Sequence, residues 1–135
     1  MASQLLLPMF AHMLWAAFLY VALTIMRAPG IWRVGARQDG TNPWAEFEPK
    51  VAANLSNQFE WPLFFYVICV LLMSSDFTYF SGYTGLAWVF IGGRVIHSYV
   101  QICTSNIRLR GLLFTINFTA VLAMWGILIW NYAVG

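Results

Sequence analysis

The sequence predicts an all-α membrane protein, a bundle of four transmembrane helices forming a single domain over residues 1–135. Three observations carry this. Hydrophobic residues make up 61% of the chain and charged residues only 9%, against about 25% charged in a soluble domain, so the chain could not cover its own surface in water. Four apolar runs are each long enough for the ~20 helical residues that cross ~30 Å of hydrocarbon. No run alternates apolar and polar residues as a barrel strand does, and lipid permits only helices and closed barrels.

The first run, LLLPMFAHMLWAAFLYVALTIM, covers 5–26. No basic residue precedes Arg27, whereas a cleaved signal peptide carries positive charge ahead of its apolar part, so this run is read as a retained span. The second covers 51–74, the third 79–105 and the fourth 112–132. Pro62 in the second and Gly92-Gly93 in the third are tolerable where neighbouring helices cover the freed backbone. Trp15, Trp44, Trp88, Trp125 and Trp130 read as lipid-facing or interfacial anchors. Cys69 and Cys103 have no CxxC spacing and read as small buried hydrophobes; no metal-ligating set stands out. The sequons at Asn54 and Asn117 lie inside spans and are discarded.

Charge orients the bundle. Arg27, Arg33, Arg37 and Lys50 fall in or beside the first connection, and Arg108 and Arg110 in the third; the second has one aspartate and no basic residue. Six of the seven basic residues therefore share one face. The positive-inside rule makes that face cytoplasmic and puts both termini on the other side. The net charge of +2 without a basic run, and aromatics confined to apolar segments, exclude a nucleic-acid partner. The first connection is long for a helical hairpin; it suits an interfacial segment with Trp32 and Trp44 at headgroup level, or a lid over a site.

Polar residues inside the spans follow helical spacing. In VAANLSNQFEWPLFFYV, Asn54, Asn57 and Glu60 recur every third position, on one slanting face. In WVFIGGRVIHSYVQICTSNIRLRG, Arg94, His97, Gln101, Ser105 and Arg108 are 3, 4, 4 and 3 apart, one face of a continuous helix. Glu60 and Arg94 lie at comparable depth. An unpaired charge at mid-membrane costs at least ~2.5 kcal/mol, so the two are expected to form an ion pair joining spans two and three. Such a pair could simply staple the helices. With His97, Gln101, Asn57, Asn54 and Arg108 it would also make a donor-rich cleft for a small anion carrying several acceptors.

NQFEWPLFFYV, and GRVIHSYVQICTSNIRLRGLLF running into the fourth span, resemble the MAPEG family (membrane-associated proteins in eicosanoid and glutathione metabolism), in a bacterial-type member. The resemblance covers nearly the whole chain. It implies a homotrimer that binds glutathione as co-substrate between protomers and takes a hydrophobic small molecule from the lipid bilayer. Asn57 and Glu60 match the family's glutathione-binding Asn and Glu, and Arg94 matches an arginine of its polar core. Arg108 matches the arginine that stabilises the glutathione thiolate in one branch. His97 and Gln101 stand where tyrosines are often found, and both keep a hydrogen-bonding group. Ala53 stands where an arginine is common, which leaves one anchor fewer for a glutathione carboxylate, with Lys50 a helical turn away.

The function the resemblance implies is a glutathione-dependent transferase or peroxidase acting on a hydrophobic electrophile. A non-catalytic MAPEG-like scaffold or accessory subunit is the alternative, with the polar stripe serving assembly. Haem ligation by His12 and His97 is a further one, since bundles bind haem between histidines of facing helices.

Overall fold

The structure, a computed structural model, describes residues 2–74 and 79–135. The connection holding Asp76, whose lack of basic residues enters the orientation argument, falls partly outside them. A 3-10 turn, Ala2–Leu5, leads into α1 (Leu6–Trp32); α2 (Glu48–Asn57), α3 (Pro62–Ser74), α4 (Gly82–Cys103) and α5 (Ile107–Val134) follow. Four helical stretches are long and apolar enough to cross a membrane: Ala2–Trp32, Glu48–Ser74, Gly82–Cys103 and Ile107–Val134. This is the multi-pass, all-helical architecture the composition called for, with no strand among the described residues.

The second span is not one helix. Pro62 has no N–H to give and its ring crowds the carbonyl four residues earlier. Across 58–61 the backbone therefore tightens into i→i−3 bonds: Gln58 N–H to Leu55 O (3.1 Å), Phe59 to Ser56 (3.1 Å) and Glu60 to Asn57 (3.4 Å). The tightening ends α2 at Asn57 and leaves Glu60 in the turn between α2 and α3.

Two other boundaries differ from expectation. α1 continues six residues beyond Met26, carrying Pro29 within its last turn, and ends at Arg33 in the left-handed conformation (φ 58°). The third span ends at Cys103, because Thr104 is fully extended (φ −133°, ψ 166°) and the Asn106 side chain caps α5 by accepting from Leu109 N–H at 3.0 Å. Cys103 is consequently exposed, while Cys69 is buried as expected.

One apolar core joins α3, α4 and α5 through Phe65, Ile68, Leu72, Ala87, Phe90, Val121 and Met124; a smaller one, Leu19, Leu23, Val51 and Leu55, joins α1 to α2. Lipid tails are as apolar as these side chains, so close approach and polar contacts decide which helix faces meet. Gly93 is such an approach: a Cβ there would strike Oδ1 of the buried Asn117 on α5. Large hydrophobics such as Leu7, Phe18, Val21, Leu112 and Ile129 are left exposed on the outside, as a lipid-facing surface requires.

The first connection is an ordered loop. Arg27 Nε pairs with Glu48 Oε1 at 2.8 Å, and Asn42 Nδ2 donates to Met26 O at 2.9 Å, tying the loop to both helices it joins. The Thr41 hydroxyl (2.6 Å) and amide (3.0 Å) both donate to Asp39 Oδ1, and these bonds hold the Asp39 carboxyl below the usual carboxylate range.

Candidate functional site

At the centre of the bundle lies Gln58, 2% exposed. Arg94 can only donate, so the amide oxygen of Gln58 must face it, and Arg94 Nε–H reaches Oε1 at 3.3 Å. The second lone pair of that oxygen takes His12 Nε2 at 2.9 Å, which fixes the proton on Nε2. Nδ1 of His12 is then an acceptor, and the Tyr66 hydroxyl donates to it at 2.7 Å; Met9 O, 3.2 Å from the same hydroxyl, is the weaker alternative. The Gln58 amide nitrogen donates to Asn54 Oδ1 (3.1 Å) and approaches Ser98 Oγ (3.4 Å). Ser98 Oγ also accepts from Trp15 Nε1 (3.0 Å) and donates to Arg94 O (2.9 Å), and Asn54 Nδ2 donates to Gln101 Oε1 (2.8 Å). The network crosses α1, α2, α3 and α4. With both ring nitrogens committed, His12 has none left for iron, and the bis-histidine haem arrangement is not formed.

The expected Glu60–Arg94 ion pair is not formed either. Among the described residues the ion pair within 4.0 Å is Arg27–Glu48. The tightened turn before Pro62 leaves Glu60 exposed, and the Gln58 amide takes its place on Arg94 Nε. Glu60 and Arg94 instead line one cavity of ≈ 280 Å³ together with Asn57, Trp61, His97 and Arg110. Three buried polar atoms of that lining have no hydrogen-bond partner: Arg94 Nη2, His97 Nδ1 and Trp61 Nε1. Arg94 and His97 are 2% and 4% exposed. A buried donor without a partner costs about 1–3 kcal/mol, and more when charged. Arg94 Nη2 and Trp61 Nε1 can only donate, and His97 Nδ1 donates or accepts according to its tautomer, so the void is suited to a group that accepts hydrogen bonds.

A second depression of ≈ 410 Å³ adjoins this cavity across Ile107 and Arg110 and is lined by Lys50, Ala53, Gln101 and Ser105, among others. The sequence-derived residues are thus divided. Asn57, Glu60, Arg94 and His97 meet at the cavity; Gln101 lines the neighbouring depression; Arg108 lies exposed in the first turn of α5. The stripe from Arg94 to Arg108 assumed an unbroken helix. The extended Thr104 breaks that register and brings Arg110 rather than Arg108 to the cavity wall.

Sequence reasoning missed Gln58, Ser98, Trp61 and Arg110. Ser98 stood four residues after Arg94 in a helical pattern and was findable. Arg110 was missed because the stripe from Arg94 to Arg108 assumes a helix continued through Asn106, although Asn106 is a residue type that starts helices and caps α5 here.

The site holds one carboxylate, Glu60, against the guanidinium groups of Arg94 and Arg110, with Lys50 in the adjoining depression. Such a set suits a zwitterionic ligand with excess negative charge, binding carboxylates along the basic side and an ammonium at Glu60. Among known proteins, no curated protein and no solved structure matches this chain. The family model described as "MAPEG family" matches residues 5–130, nearly its full length. On that match, and in keeping with its four spans and polar interior, the chain belongs to the MAPEG family.

Proposed function

We propose that this protein is a glutathione-dependent transferase or peroxidase whose co-substrate lies in the cavity and depression between α2, α4 and α5. One observation carries the reading: three buried polar atoms, Arg94 Nη2, His97 Nδ1 and Trp61 Nε1, remain unpartnered around a void that also holds Glu60 and Arg110. Glutathione has two carboxylates, an ammonium, two amides and a thiol, and the cavity with its neighbour offers a partner for each charge. Glu60 takes the ammonium, Asn57 the adjacent backbone, and Arg110 and Lys50 the carboxylates; Gln101 lines the path between them. Lys50, in the same depression as Ala53, stands in for the arginine that the family commonly has at that position.

Thiols near pKa 8.5 are mostly protonated at neutral pH, and a guanidinium alongside favours the thiolate. Arg94, held by Gln58 with Nη2 free, and Arg110 are the groups positioned to do so; Arg108, the sequence-derived candidate, is not part of the cavity lining. The thiolate can then displace a leaving group from an apolar electrophile, forming a carbon–sulfur bond, or attack a peroxide O–O bond to give a sulfenic acid and an alcohol, after which a second glutathione thiol gives glutathione disulfide and water. The exposed apolar faces of the bundle are consistent with a co-substrate arriving through lipid. At ≈ 280 Å³ the cavity falls just below the ~300–1,000 Å³ of small-molecule sites. A homotrimer, with a neighbouring protomer closing the open side, agrees with that size. The basic first and third connections support a cytoplasmic opening, with both termini on the opposite side.

Glutathione-dependent thermal stabilisation of the purified protein tests this reading. At a hundred times the dissociation constant the stabilisation should be ~2.7 kcal/mol. No shift at millimolar glutathione would favour the scaffold or accessory reading, in which the interior network serves only to join helices.

A further inference from the structure

A second polar recess lies away from the glutathione cavity, where α1 leaves the membrane. We infer that the recess formed by Gly30, Arg33, Arg37 and Gln38 is a binding site for a phosphate monoanion or diester at the bilayer surface, and that an anionic phospholipid headgroup fills it.

Position comes first. The 27 residues of α1 rise ~40 Å, about the thickness of a bilayer with its headgroup layers, so Arg33 emerges at headgroup level. Ile31, Trp32 and Val34 around it are 65%, 75% and 66% exposed, an apolar rim suited to the boundary between acyl chains and headgroups.

Shape comes second. The left-handed Arg33 ends α1 and turns the chain back, and Gly35 (φ 80°) and Gly40 (φ 84°) supply two further positive-φ bends. Arg37 N–H donates to Thr41 O at 3.0 Å and Gly40 N–H to Arg37 O at 2.9 Å, closing a small ring of chain against the end of α1. Between them lies a recess of ≈ 560 Å³ with no acidic side chain in its lining.

Charge decides the ligand. Neither guanidinium has a hydrogen-bond or ion-pair partner among the described residues, although acidic groups are close in sequence. Glu48 is taken by Arg27 and Asp39 by the Thr41 hydroxyl and amide, and Glu46, the loop's third acid, is not part of the recess lining. Two guanidinium forks over one recess match the oxygens of a phosphate, and lipid phosphates are the anions concentrated at this depth.

The test compares wild type with Arg33→Gln/Arg37→Gln and Arg33→Lys/Arg37→Lys, in nanodiscs and by native mass spectrometry from detergent. Both side chains are exposed and unpartnered, so the variants should fold, which circular dichroism checks. Wild type should retain phosphatidylglycerol in preference to phosphatidylcholine. The Gln pair should lose that preference by on the order of fivefold per guanidinium, with partial recovery in the Lys pair. If inorganic phosphate in lipid-free detergent binds with the same arginine dependence while phosphatidylglycerol shows no preference, the site is an anion site and the lipid assignment is overturned. Equal retention of both lipids, with no phosphate binding, overturns the inference altogether. None of these readouts involves glutathione.

Discussion

Gln58 Oε1 lies 2.9 Å from His12 Nε2 and 3.3 Å from Arg94 Nε, so one amide oxygen joins the first helix of the bundle to the most deeply buried charge of the fourth. The arrangement holds Arg94 through Nε and leaves Nη2 for the cavity. Replacing Gln58 with Leu removes both acceptor bonds and both donors at once. Each orphaned group costs about 1–3 kcal/mol, and the losses overlap because the groups share one network. Gln58→Leu is expected to lower unfolding stability in detergent by roughly 2–4 kcal/mol. Gln58→Glu, which keeps an acceptor for Arg94 and His12, should lose less. Equal losses in the two variants would mean that packing, not the Arg94 bond, sets the effect.

Both Arg108 and Arg110 are exposed, but Arg110 lines the cavity and Arg108 does not. Arg110→Ala should weaken glutathione binding by about tenfold or more, the worth of one charge-assisted contact at ~1.5–3 kcal/mol. Arg108→Ala should stay within about twofold, because that side chain is not part of the cavity lining. Reversed effects would restore the unbroken-helix register that the sequence suggested.

Lys50 shares its depression with Ala53. If Lys50 holds a glutathione carboxylate, Lys50→Ala weakens binding by a factor of about 3–5, in the range of a half-exposed ion pair. Ala53→Arg in that background should recover the loss. A Lys50→Ala variant with unchanged KM for glutathione would remove Lys50 from the site.

Gly93→Ala tests the close approach of α4 and α5, because the added methyl meets the Asn117 amide. Overpacking of this kind costs about 1–3 kcal/mol. Gly92→Ala, with nothing within 4 Å of the added Cβ, serves as its control and should be neutral or slightly stabilising.

The fold was legible in the sequence because lipid constrains it so tightly: apolar runs of spanning length leave few architectures, and the resemblance in NQFEWP and GRVIHSYVQICTSNIRLRG agreed with the family match. The site was legible only in part. Asn57, Glu60, Arg94 and His97 do line one cavity, since Arg94 and His97 keep i, i+3 spacing within α4 and the turn after Asn57 leaves Glu60 beside the same cavity. What failed was register across breaks. The Gln58 amide rather than Glu60 takes Arg94 Nε, and the extended Thr104 interrupts the stripe towards Arg108; the polar spacing alone marks neither event. Gln58, four residues after Asn54 and so beside it on a helix, was findable in the same way as Ser98.

The central claim is that glutathione sits where those unpartnered donors and Glu60 converge. Calorimetric titration of glutathione into wild type and Glu60→Gln measures it most directly. Saturable binding by the wild type, at least about tenfold weaker once the carboxylate that meets the ammonium is neutralised, is the expected result. No binding by the wild type, or equal affinity in the two proteins, would contradict it.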